Sequence, residues 1–287
     1  MIRISVNIMS SSIVLIKRLD TYSFSSLSEL LYSSASIINT VDVFTFANDC
    51  GWICESNNVP LLTRRGNELL TLLNQGKEVA LKRQMLSDYV VAASPIWSNR
   101  IPYGRSEATI FMTKDEKACF FEAELLEDHF EPDVIEWWDM LSDAIRMKAG
   151  KEKEEIGRMG EKCTIDYERN RTQSEPKWVS VDSNLAGYDV LSRHSKDNSS
   201  ALLIEVKSST LSLEAVSFHI TANEWSVATT SKAYLFYLWC FFENERLLAI
   251  LSPEEIQQNI PTNNYEGQWE SVEIPFSCYK DKFSILS

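Results

Sequence analysis

The residues with the clearest capacity for chemistry lie in two β-like segments. Gly187-Tyr188-Asp189-Val190 ends on an aspartate, and Ile204-Glu205-Val206-Lys207 follows across a polar stretch from Ser192 to Ser200. Strand side chains alternate between faces, so Ile204 and Val206 point one way and Glu205 and Lys207 the other. A hairpin would set Asp189 beside Glu205 on the polar face. Two carboxylates and an ammonium sharing a face suit a hard divalent cation and a phosphate. Mg²⁺ (or Mn²⁺) takes a few carboxylates and keeps water for the rest of its shell. Asp189 and Glu205 are the expected direct ligands, the Val206 backbone carbonyl a third oxygen, and Lys207 the group that orients or helps deprotonate an attacking water.

Several neighbours bear on the same site. Glu161, in Gly157-Arg158-Met159-Gly160-Glu161, belongs to a charged helix expected from Lys151 to about Arg171 and would reach the cation directly or through water. The two glycines each cost about 1 kcal/mol inside a helix, which implies close packing there. Thr221-Ala222-Asn223-Glu224 reads as a capping box opening a helix to about Thr230. Asn223 and Glu224 extend the site from that helix, or Glu224 only caps it. His194 and His219 have surface or packing roles.

These positions require a framework, and the C-terminal half supplies one. Strands are expected at Trp178–Val181, Tyr188–Ser192, Leu202–Ser208, Tyr234–Phe242 and Leu247–Leu251. With the helices, the order is α-β-β-β-α-β. The Asp…Glu-x-Lys spacing in that order resembles the PD-(D/E)XK, or restriction-endonuclease-like, nucleases. The blocks Ile156-Gly-x-x-Gly-Glu161, Gly187-Tyr-Asp-Val190, Ile204-Glu-Val-Lys-Ser-Ser209 and Phe218-x-Ile-Thr-x-Asn-Glu224 are similar to the C-terminal domain of the plant protein NO VEIN, which recurs in bacterial restriction and phage-defence proteins. The resemblance covers about residues 155–250. It implies a metal-dependent nuclease fold and leaves the substrate open.

Residues 1–20 alternate apolar and polar and read as strand. Helices are expected over Ser25–Ala35 and Val41–Cys50, the latter ended by Gly51, then a hairpin with the tip Glu55-Ser56-Asn57-Asn58, and a helix from Thr63 to about Asn74. This succession resembles a winged-helix domain. Its functional reading is DNA contact through the Val41–Cys50 helix with Arg64 and Arg65; the other is a protein-docking or dimerising wing, because that helix shows Asp42 and Asp49 and no basic residue. Residues 84–150 read as a helical linker or interaction region, with an amphipathic helix over Asp133–Arg146 whose stripe is Val134, Trp138, Leu141 and Ile145. The expected class is therefore α+β or α/β: a winged-helix-like domain (1–83), a helical region (84–150) and a nuclease domain with a mixed central sheet (151–287).

Composition narrows the remaining options. The chain has 287 residues, 44% hydrophobic and 24% charged, as in a globular protein. No apolar run reaches the roughly 20 residues of a membrane span, and the first residues lack a signal-peptide pattern. Six scattered cysteines form no Cys-x-x-Cys pair, which argues against zinc and for reduced thiols in a cytoplasm. No Gly-x-x-x-x-Gly-Lys loop is present, so no built-in ATPase is expected. The net charge is −13, distributed as 8 basic and 7 acidic groups in 1–83, 6 and 13 in 84–150, and 14 and 21 in 151–287. Non-specific DNA binding should therefore be weak.

The resulting expectation is a Mg²⁺-dependent endonuclease acting on DNA, double-stranded, in restriction or anti-phage defence. A homodimer or a partner defence protein would supply a second active site. The alternatives are a non-catalytic DNA-binding or scaffold subunit and an RNA-cleaving toxin.

Overall fold

The computed structural model describes residues 3–33, 40–126, 131–183, 185–262 and 268–286. It divides into two compact units, Met1–Ala149 and Gly150–Ser287. The part of the expected Ser25–Ala35 helix beyond residue 33 lies outside the described residues, as do residues 127–130 of the acidic 84–150 region. Among the described residues no helix is long and apolar enough to cross a membrane.

The first unit begins with a helix where alternation suggested a strand: α1 spans Val6–Thr21. Its buried residues are Met9, Ser12, Leu15 and Ile16, a three-to-four spacing, and the Ser5 hydroxyl accepts from the Ile8 N–H as its N-cap. The two-residue alternation covers only the first few residues, whereas the helical stripe runs for two turns. Next come α2 (Leu27–Ser33), α3 (Thr40–Asp49), the hairpin β1 (Ile53–Ser56) and β2 (Val59–Leu62), and α4 (Arg64–Asn74). Asn57 and Asn58 make the hairpin turn with φ of 52° and 63°, the twin left-handed pair that a tight two-residue loop requires.

The helices α5 (Glu78–Ala93), α6 (Arg105–Thr109) and α7 (Lys114–Glu122) complete the unit, together with a 3₁₀ segment at Ile96–Tyr103. One core cluster runs from Ile4 through Phe46, Trp52, Met85 and Phe120 to Leu141, so residues on both sides of position 83 share it. The aromatic ring of contacts Trp97–Phe120–Trp137–Trp138 closes that core, and Trp137 is buried along with the expected Trp138.

The two helices expected over 133–146 and 151–171 are one: α8 spans Pro132–Thr172. At the join, Gly150 costs less than the hydrogen bonds that a break would forfeit.

The second unit is built on a six-stranded mixed sheet of order β10-β8-β7-β5-β4-β3. Its strands are β3 (Lys177–Trp178), β4 (Val190–Arg193), β5 (Ala201–Ser209), β7 (Tyr234–Phe242), β8 (Glu245–Leu251) and β10 (Ser284–Ile285); the expected Trp178–Val181 strand is shorter and begins one residue earlier. The β5–β7 pair is parallel, and the others are antiparallel. Among the elements not anticipated, which include β10 and the helix at Pro253–Ile256, β6 (Ser217–Thr221) and β9 (Ser271–Pro275) form a separate antiparallel pair. The helix α9 (Ala222–Thr230) links β6 to β7, and the short α10 (Pro253–Ile256) follows β8.

The sheet divides two cores. Leu202, Ile204 and Val206 of β5 join Tyr237, Trp239 and Ile165 of α8, whereas Phe236, Leu238 and Cys240 join Phe218, Ala228 and Phe276 on the other face. The buried stripe of α8 over this sheet is Gly160, Thr164, Glu168 and Thr172, one residue every four positions. Thr164 accepts from the Trp239 indole at 2.8 Å, and Glu168 accepts from Arg171, Ser192 and Tyr237.

Of the two glycines expected to permit close packing, only Gly160 does so. A Cβ there would lie 2.7 Å from the Ser208 Cβ and Oγ and 3.2 Å from Val206 Cγ1, while Gly157 has nothing within 4 Å. Opposite outcomes follow for the same substitution. Gly157→Ala should stabilise the protein by up to about 1 kcal/mol through helix propensity, and Gly160→Ala should destabilise it by about 1–3 kcal/mol through overpacking against β5. Chemical denaturation of the two variants measures both; equal effects would contradict the packing.

Candidate active site

The hairpin places the first two candidates as the spacing predicts. The β4–β5 register pairs Val190 with Ile204, which sets Asp189 opposite Glu205. The Asp189 N–H donates to the Ile204 carbonyl at 2.9 Å, and Asp189 Oδ2 accepts from the Val206 N–H at 2.9 Å. Just upstream, Gly187 holds φ at 75°, and its carbonyl accepts from the Tyr234 hydroxyl at 2.6 Å, which fixes the approach of the chain to Asp189.

Glu205 and Lys207 share the face turned towards α9, but that face is a second core and not a solvent surface. Glu205 is only 4% exposed. Its Oε1 lies 2.8 Å from Lys207 Nζ, and Lys207 Nζ lies 3.0 Å from Glu224 Oε1. Glu224 does both things that the sequence allowed: its Oε2 accepts from the Thr221 N–H at 2.8 Å to close the capping box, and its Oε1 holds the lysine. Asn223, one residue away, instead donates to the Leu185 carbonyl at 3.4 Å.

Glu161 is brought to the edge of this cluster by α8. Its Oε2 accepts from Arg158 Nη1 at 2.9 Å and also from the Trp178 indole and the Ser180 hydroxyl. Its charge still acts on Asp189. Trp178 and Ser180 are neighbours of Glu161 that periodicity could not flag, because Trp178 ends a two-residue strand and Ser180 lies just beyond it. Their link to the site is the Asp189 carbonyl, which accepts from the Val179 and Ser180 N–H groups at 2.7 and 3.2 Å.

The two candidate DNA-contacting arginines of the first unit, Arg64 and Arg65, divide. Arg65 is committed internally, with Nε and Nη2 on Asp88 and Nη1 on Glu68. Asp88 also accepts from the Trp52 indole. Arg64 projects outward with only an exposed Glu68 contact at 3.2 Å.

Charge is the dominant feature of the cluster. Burial pushes the Asp189 carboxyl up to about 6, the Val206 N–H opposes this, and the charge of Glu161 adds to it. Burial raises Glu205 well above the usual carboxylate range; Lys207 opposes the shift, while Asp189 and Glu224 reinforce it. Burial alone would lower Lys207, but Glu205 and Glu224 outweigh it and hold the amine firmly protonated. Glu224 is kept low against its own burial by Lys207 and by a hydrogen bond with Glu205. Three carboxylates thus face a single ammonium.

This surplus of hard oxygen and negative charge fits a divalent cation. Among the described residues no group of three or more His, Cys, Asp or Glu side chains is placed to hold a metal. The fitting donor set is therefore the two carboxylates of Asp189 and Glu205 with the Val206 carbonyl, and water for the remainder, as Mg²⁺ accepts.

Residues 160–250, about a third of the chain, match the family described as Protein NO VEIN, C-terminal. That stretch carries Glu161, Asp189, Glu205, Lys207 and Glu224. No curated protein and no solved structure matches the chain.

A group whose folded pKa exceeds its unfolded value binds its proton more tightly when folded, so stability falls as pH rises from the unfolded to the folded pKa. For Asp189 that window runs from about 4 to about 6. Asp189→Asn keeps an acceptor for the Val206 N–H and removes the charge. It should raise metal-free stability at pH 7 by about 1–2 kcal/mol and leave little change at pH 4. Urea midpoints at the two pH values test this; an equal effect at both would remove the charge argument.

Proposed function

We propose that the second unit is a metal-dependent nuclease of the restriction-endonuclease-like class that hydrolyses DNA in a restriction or phage-defence setting. The observation that carries this reading is the opposition of Asp189 and Glu205 across the β4–β5 register, with Lys207 on the same face and Glu224 fixing it, inside the stretch that matches the NO VEIN C-terminal family. The order of helix, three strands, helix and strand from α8 to β7, with β6 interposed, supports the same class.

In this mechanism Asp189 and Glu205 hold the cation together with the Val206 carbonyl. Bound there, Mg²⁺ or Mn²⁺ lowers the pKa of the attacking water and neutralises charge on the phosphate. Lys207 stays protonated, so its part is to orient the water and to offset the charge that builds on the phosphoryl oxygens. Glu224 holds the ammonium in place by its Oε1 while its Oε2 is fixed by the α9 N-terminus, so Lys207 is aimed before substrate arrives. Glu161 adds negative charge from the helix side.

The first unit has the succession of helices, hairpin wing and helix that supports a winged-helix-like reading. Its Arg65 points into an internal ion pair and Asp42 lies in the first turn of α3, which favours docking to a protein over reading DNA. Cutting both strands would need two sites, hence a homodimer or a partner defence protein.

One observation favours a non-catalytic scaffold instead: Glu161 Oε2 already satisfies three donors within the chain. The two readings separate on metal. Asp189→Ala should lower Mg²⁺-dependent cleavage by about 10²-fold or more with circular dichroism unchanged, and Lys207→Ala should lower it as far in the fraction that circular dichroism shows to be folded. Duplex DNA, single-stranded DNA and RNA are offered in parallel, with Mg²⁺ binding followed by calorimetry. Cleavage that survives both substitutions would sink the mechanism, and nucleic-acid binding without metal binding would establish the scaffold.

A further inference from the structure

Arg158 is held in a manner that its place on a helix surface does not require. Its Nη1 reaches Glu161 Oε2 at 2.9 Å and Ser180 Oγ at 3.0 Å, and its guanidinium lies 5.7 Å from the centre of the Trp178 ring. An arginine clamped by a carboxylate, a hydroxyl and an indole has lost its rotamer freedom before any ligand arrives. Both hydrogen bonds run through Nη1, and the side chain remains 35% exposed, so a hydrogen-bonding edge is turned outward. The same Ser180 whose hydroxyl holds Arg158 donates its N–H to the Asp189 carbonyl at 3.2 Å, which ties the arginine to the flank of the carboxylate cluster.

Arg158 also lines a groove of about 710 Å³ along α8. Four cations border it, Lys151, Arg158, Lys162 and Arg246, against three acids, Glu154, Glu155 and Asp166. In a chain of net charge −13 this is a local excess of positive charge, and it begins beside the candidate active site. A planar, pre-oriented guanidinium is the donor that suits a phosphate, and a row of further cations suits a ligand carrying phosphates at regular intervals.

We propose that Arg158, with Lys162 and Arg246 further along the groove, grips the phosphate backbone of a polynucleotide next to the bond that is cut, and that Glu161 and Trp178 act as its positioning residues. This rests on the nuclease reading above. It gives Glu161 a second task, in which the carboxylate aims an arginine at the substrate.

The test is binding by fluorescence anisotropy with duplex DNA, single-stranded DNA and RNA oligonucleotides across a salt series, beside cleavage kinetics, for the intact chain and for Arg158→Ala, Arg158→Lys and Arg246→Ala. Arg158→Ala should weaken binding on the order of fivefold and reduce the slope of log K against log salt by about 0.9 on duplex or 0.7 on single strands. Its effect should be larger on Kd and KM than on kcat. Arg158→Lys keeps the charge, so it should restore the slope while recovering only part of the affinity. Arg246→Ala gives the same slope readout from β8 if changes at Arg158 disturb folding.

An unchanged affinity and slope in both alanine variants would overturn this inference and leave the nuclease reading standing. An intact chain that neither binds nor cleaves any of the three substrates would overturn both.

Discussion

The second unit is organised around a carboxylate and an ammonium carried into its interior on one strand. Glu205 and Lys207 lie two residues apart on β5, on a face that the β6–β9 pair and α9 cover. Lys207 satisfies Glu205 and Glu224 at once, and that second bond ties the first turn of α9 to the middle of the sheet. Asp189 then takes the Val206 N–H from the adjoining strand. Removing the ammonium would leave buried carboxylates uncompensated, a cost of several kcal/mol in comparable settings. The placement of helix, hairpin and strand thus depends on a charge arrangement that hydrophobic burial alone would not select.

The same unit contains a contrast that separates architecture from chemistry. Glu168 on α8 is fully buried, yet its pKa is lowered: burial pushes it up, and Arg171, Ser192 and Tyr237 together outweigh that. Arg171 bonds both of its oxygens, Ser192 adds a bond at 2.5 Å and Tyr237 one at 2.6 Å. Every lone pair has a donor, so Glu168 fastens α8 to β4 and β7 and has nothing left for a ligand. Half-buried Asp189 and buried Glu205 have one donor each, the Val206 N–H and the Lys207 ammonium, and both shift upward. A carboxylate short of partners is stable there only with a proton or a cation. That imbalance, more than burial itself, singles out this cluster as the candidate site.

How much of this was legible in the sequence follows from which signals are local. The Asp189–Glu205 opposition was readable because strand alternation and an antiparallel hairpin leave one register that buries Ile204 and Val206. The capping box at Thr221–Glu224 was equally local. The α1 helix was misread because Ile2, Ile4, Val6 and Ile8 imitate a strand before Met9, Ser12, Leu15 and Ile16 take over. On α8 the apolar residues Ile156, Met159, Cys163 and Tyr167 suggested the buried face. The stripe that packs is Gly160, Thr164, Glu168 and Thr172, with Ile165 beside it as the one buried aliphatic side chain there. A search for apolar periodicity passes over it, although a glycine opening a four-residue repeat of small and polar residues was the available clue. The β6–β9 pair joins segments about fifty residues apart, and no local pattern specifies that pairing.

The net charge acquires a different meaning once its distribution in space is considered. A total of −13 opposes indiscriminate attraction to polyphosphate, and the cations that remain are mostly engaged within the fold, as Arg65 is with Asp88 and Arg171 with Glu168. Long-range attraction in such a protein is weak, so affinity has to come from short-range, pre-oriented contacts. An arginine already fixed by Glu161, Ser180 and Trp178 forgoes little entropy when it meets a phosphate, whereas a free surface lysine forgoes more. Under the nuclease proposal, weak steering combined with stiff local contacts would give a domain that engages its substrate only after something else has delivered it.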